Sequence, residues 1–184
     1  MLGIVAASVG CGGEAACPVK GGDPAAELGL SGARLGDWEG LPSDGDAVME
    51  IGPQGGFHLW SMLRLRGVCV GPGTARYEVR TKDTDAPVDD GVAPTEVELD
   101  PDLSDGAART AKSVQTFVCP ASPPTNLVDR PVIVSLEVED AGGHSLSAQT
   151  ELTLRCPTDH PLILTTCHRI CDPGDVEGST LADR

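Results

Sequence analysis

Residues 132 to 154 read as two facing ladders. Val132, Val134, Leu136 and Val138 alternate with Ile133, Ser135, Glu137 and Glu139. After Asp140-Ala141-Gly142-Gly143-His144 the return run sets Leu146, Ala148, Thr150, Leu152 and Leu154 on one face. Side chains of an extended chain point alternately to opposite sides, so period two marks a half-buried strand. Two such runs about a glycine-rich turn make a β-hairpin. His144 falls at its tip and is read as solvated.

The same period returns earlier. Phe57, Leu59, Ser61, Leu63 and Leu65 share one face, and His58, Trp60, Met62, Arg64 and Arg66 the other. Gly52-Pro53-Gln54-Gly55-Gly56 precedes this run and reads as a connection between strands, its glycines supplying positive φ. A second reading is a binding loop: Gly55 and Gly56 would present His58 and Trp60. With Met49 or Met62 added, these side chains suit Cu(I), which favours imidazole and thioether ligands. Arg64 and Arg66 are expected to pair with surface acids.

The rest divides into short pieces. Strands are expected over 47–51, 77–81, 95–100 and 113–119, with an edge strand over 162–164. Residues 103–111 read as a turn or a brief helix. The loop from Lys82 to Pro94 holds Asp83, Asp85, Asp89 and Asp90. It is not an EF-hand: counted from Asp83, the fifth position, which must supply an oxygen, is Pro87. A solvated loop is expected, with a looser calcium site as the alternative.

Val134-Ser135-Leu136-Glu137-Val138-Glu139-Asp140-Ala141-Gly142-Gly143 resembles the V-x-L-x-V-x-D-x-x-G pattern before the last strand of Ig-like and polycystic-kidney-type sandwich domains. That resemblance implies an all-β fold, an Ig-like antiparallel β-sandwich with disulfides.

The cysteines bear on where such a domain lives. There are seven: Cys11, Cys17, Cys69, Cys119, Cys156, Cys167 and Cys171. Ser8-Val9-Gly10-Cys11 follows an apolar start, MLGIVAASVG, too short to span a bilayer, which takes about 20 residues. It resembles the lipobox of bacterial lipoproteins. The resemblance implies a lipidated Cys11, and Gly12 after it resembles outer-membrane members; the alternative is a short buried strand with a free cysteine. With Cys11 set aside, six cysteines remain for three disulfides, as an exported chain would have. Their pairing is open; a bridge such as Cys69 to Cys119 would close a loop of roughly 50 residues for about 4 kcal/mol. Cys156, His160, Cys167, His168 and Cys171 also lie close together, but without paired zinc-ligand spacing.

The formal net charge is -15, which repels a phosphate backbone and argues against nucleic acid as a partner. Phe57, Phe117, Tyr77, Trp38 and Trp60 are all the aromatics, too few for a stacking platform. No nucleophile elbow, zinc-protease motif, Walker loop or dinucleotide fingerprint is present, so no cofactor is expected. The expected plan is a signal and lipobox over 1–11, a tether over 12–27, a sandwich over 28–171 and an acidic disordered tail over 172–184. The expected function is a non-catalytic lipoprotein of the bacterial cell envelope. It would meet the membrane only through its anchor and bind or support an envelope protein partner. The alternative is the copper carrier.

Overall fold

A computed structural model describes residues 19–31, 38–42, 44–52, 55–88, 94–101, 107–110, 114–119 and 126–172. Cys11, Cys17 and the tail beyond Asp172 lie outside the described residues, as does the proposed lipobox.

The chain is all-β with one helix. In order come β1 (Val19–Ser31), β2 (Trp38–Gly40), β3 (Asp46–Val48), β4 (Glu50–Ile51), β5 (Phe57–Cys69), β6 (Gly71–Thr81), β7 (Thr95–Pro101), β8 (Ala108–Thr110), β9 (Val114–Cys119), β10 (Pro131–Glu139), β11 (Ser145–Arg155) and α1 (Pro161–Cys171). Hydrogen bonding runs β2-β1-β5-β8-β7-β6-β10-β11-β3, with β4 and β9 also on β5. The short β8 bridges β5 to β7, and β1 lies against β11, so the ladder folds into a sandwich over one core.

The hairpin pairs as its alternation requires: Val132 faces Leu152, Leu136 faces Ala148 and Val138 faces Leu146. Val132, Val134, Leu136, Val138, Leu152 and Leu154 are buried, and they pack in one cluster with Leu59, Leu63 and Leu65 of β5 and with Tyr77 and Val79 of β6. Full burial of each such aliphatic side chain stabilises the fold by about 1.5–3 kcal/mol.

Four expectations are corrected. The sheet is not purely antiparallel: β3 pairs parallel with β11, Thr153 to Asp46 through Arg155 to Val48. Arg155 Nε donates to Asp46 Oδ2 at 2.9 Å and supports that pairing. Residues 19–27, expected in the tether, belong to β1. Within β1, Gly21-Gly22-Asp23-Pro24 form a bulge: Lys20 faces Val68 and Ala25 faces Arg66, leaving 21–24 against Gly67 alone. Gly67 has φ +65, and a Cβ there would lie 2.9 Å from Pro24 Cα, so glycine is needed on both counts. The described part of 103–111 contains strand β8 rather than a helix.

The fourth correction is α1, where an edge strand was expected over Leu162, Ile163 and Leu164. Pro161 occupies the first turn, where its fixed φ suits a helix and its missing N–H costs nothing. Cys167, Ile170 and Cys171 are buried, a spacing of three and four that lays one helical face on the sheet. His168 and Arg169 in the last turn suit the negative end of the helix dipole.

Candidate functional site

One short segment ties the two halves of the sandwich together. After β3 has paired with β11, the Met49 amide donates to the Arg155 carbonyl at 2.9 Å. The chain then changes neighbour: Glu50 faces His58 and Ile51 faces Phe57 as β4 joins β5. The Gly52 amide donates to the Gly56 carbonyl at 2.8 Å and closes the turn.

Opposite this segment stands the start of α1. Two disulfides fasten the helix, Cys156–Cys167 to the end of β11 and Cys119–Cys171 to the end of β9. The Leu127 amide adds a 2.7 Å hydrogen bond to the Cys171 carbonyl. Cys69 is also disulfide-bonded. The bridge expected as an example, Cys69 to Cys119, is thus replaced by Cys119–Cys171, because helix formation carries Cys171 to within a Cα–Cα distance of 5.5 Å of Cys119. The zinc alternative loses its thiolates, since Cys156, Cys167 and Cys171 are all consumed in disulfides.

Between the segment and the helix lies a cleft of about 410 Å³, lined by Val48, Met49, Glu50, Ile51, Pro157, Thr158, Asp159 and Ile163. Val48 is 55% exposed and Ile51 45%, and Leu162, beside Ile163 in the first turn of α1, is 73% exposed. These are the exposed large hydrophobic side chains among the described residues. Burial raises the Glu50 carboxyl above its ordinary value, and the charge of Asp159 raises it further. No cation forms an ion pair with either carboxylate among the described residues. The cleft therefore sets aliphatic side chains beside two acidic ones, Glu50 half-buried and Asp159 exposed.

The described residues of the Gly52–Trp60 stretch do not line the cleft, whose wall on this side ends at Ile51. His58 is 2% exposed, and burial lowers its pKa. Gly52 crosses directly over the imidazole: a Cβ there would sit 2.0 Å from Nε2. Gly55, at φ +86, is exposed, while Gly56 is buried. Trp60 is half-buried, with its ring centroid 6.3 Å from that of His58. The stretch is thus a turn that covers His58, which corrects its expected place on an outward face.

The copper set does not converge. Met62 is fully buried on the His58 face but four residues along the strand, about 13 Å away. Glu50 is the residue facing His58, so Met49 next to it points to the opposite side, where its sulfur lies 3.7 Å from Cys119 Sγ. Arg64, expected among surface acids, holds its guanidinium 5.1 Å from the Trp38 ring centroid. Asp83 and Asp85 of the acidic loop pair with Arg130 and Arg80.

One cluster was not foreseen. Cys69, Asp140 and His144 bring a sulfur, a carboxylate oxygen and an imidazole nitrogen within 4.8 Å of one another. The Cys69 sulfur is held in a disulfide, so it is not a thiolate ligand, and the cluster acts as a lock on the hairpin turn. Its signal in the sequence is Asp140, the acid of the sandwich-domain pattern.

No protein-family model matches the chain, and no curated protein matches it.

Proposed function

We propose that this protein is a non-catalytic binding module of the bacterial cell envelope, tethered through a lipid on Cys11. The observation that carries this reading is the disulfide-held cleft. Its helical wall is fastened by Cys156–Cys167 and Cys119–Cys171, so the surface that gathers the exposed aliphatic side chains depends on oxidised cysteines. Disulfides persist in exported proteins and are rare in the cytosol. The lipobox-like Ser8-Val9-Gly10-Cys11 supplies the tether and accounts for the odd cysteine. An aliphatic cleft with uncompensated carboxylates suits recognition of a protein partner.

Metabolic labelling with palmitate tests the tether. Wild-type protein incorporates label and sediments with membranes, while Cys11→Ala does neither. Absence of label from the wild type, or equal label in both, removes the lipoprotein reading.

A further inference from the structure

We propose that the cleft between β3–β4 and α1 receives an extended segment of a partner protein that carries one Lys or Arg flanked by aliphatic side chains. This inference rests on the binding-module reading and names the chemistry of its partner.

Three features of the cleft point to that chemistry. Val48 and Ile51, both exposed, line the cleft opposite Ile163 of α1, an apolar pair of walls open to solvent. Glu50 and Asp159 line the same cleft without an ion-pair partner, so a cation between them would relieve their mutual repulsion. Among the described residues, no strand pairs with the second edge of β3. Its ladder to β11 uses the Gly45 carbonyl and the Met49 amide, which turns the backbone groups of Val48 away from β11. An extended peptide can pair with such an edge while its alternate side chains enter pockets.

Other occupants fit less well. A second copy of the chain would bring another net charge of -15 to an acidic cleft. The chain's own C-terminal segment carries Asp175, Glu177 and Asp183 against Arg184 and meets the same repulsion. The cleft's modest size predicts a weak, transient contact, strengthened by tethering both partners at one membrane.

The test is selection of nonapeptides from a random displayed library on the full-length, oxidised chain, with the double variant Glu50→Gln, Asp159→Asn as counter-target. We expect enriched peptides to place a Lys or Arg within two residues of Leu, Ile or Val. They should bind the double variant about tenfold more weakly and weaken with added salt. Ile51→Ser should reduce binding while leaving the melting temperature unchanged, and in the wild type the methyl resonances of Ile51 and Ile163 should shift on titration. Enrichment of peptides without a cation, equal binding to the double variant, no enrichment, or dimerisation that masks the cleft would each overturn the proposal. Palmitate labelling reads Cys11 alone, so the tether and the partner chemistry stand or fall separately.

Discussion

The Cys69 amide donates a 2.7 Å hydrogen bond to Asp140 Oδ2, joining positions 71 apart in sequence. The other carboxylate oxygen accepts from the amides of Gly142 and His144 at 2.8 and 2.9 Å, and His144 Nδ1 lies 3.0 Å from Oδ2. One buried acid thus holds both the end of β5 and the hairpin turn. Burial alone would raise the Asp140 pKa, but the amides of Cys69 and His144, the imidazole and the Gly142 amide outweigh it and hold the carboxyl below its ordinary value. Asp140→Ala should destabilise the fold by about 3 kcal/mol in urea titration, since it strands buried amides. A folded-state pKa below the unfolded one stabilises the fold above the unfolded value near 3.8 and is lost as pH falls through the folded value. Wild type should therefore show an acid-side loss of stability in that window that Asp140→Asn lacks.

Gly52→Ala should destabilise by about 1–3 kcal/mol, because a methyl group cannot share space with the His58 ring. Thermal unfolding measures the loss, and the His58 ring resonances in the variant should report greater solvent exposure. His58 also predicts a pH effect. Its folded pKa is lowered by burial, so the unfolded chain takes up the proton first, and stability falls as pH drops below about 6.5 towards the folded value. His58→Gln should flatten that slope.

The two disulfides of α1 should differ in weight. Cys156–Cys167 closes a separation of 11 residues and Cys119–Cys171 one of 52. Loop entropy then assigns about 3 and about 4 kcal/mol to them. Paired Cys→Ala variants in denaturant titration should follow that order. Loss of the shorter bridge should also loosen the cleft, seen as faster amide exchange over residues 157–163.

Gly67→Ala tests the bulge. With φ +65 and Pro24 packed against the site, the added methyl is strained both in backbone and in contact. A loss of about 2–3 kcal/mol is expected in thermal unfolding, against about 1 kcal/mol for Gly143→Ala, where φ is +78 but nothing lies within 4 Å.

The hairpin was legible because each of its strands has one wet face and one dry face, so Val132 to Val138 announce themselves by alternation. β5 was legible as a strand but not in its surroundings: both its faces are covered over much of its length, so His58 and Met62 read as outward while they are buried. α1 was hidden because Leu162, Ile163 and Leu164 form an apolar run that suits either period. Pro161 and the spacing of Cys167, Ile170 and Cys171 held the signal for a helix. The cleft could not be read at all, because it depends on the parallel pairing of β3 with β11, about a hundred residues apart, and local patterns carry no such register.

Disulfides fasten the helix and one wall of the cleft, and the proposed export requires them to be oxidised in the native protein. Alkylation of the protein from its native source without reductant, followed by peptide mapping, reads this state. Linked peptides joining Cys119 to Cys171 and Cys156 to Cys167, and no alkylated Cys69, are expected. Alkylated thiols at these five positions would contradict that state.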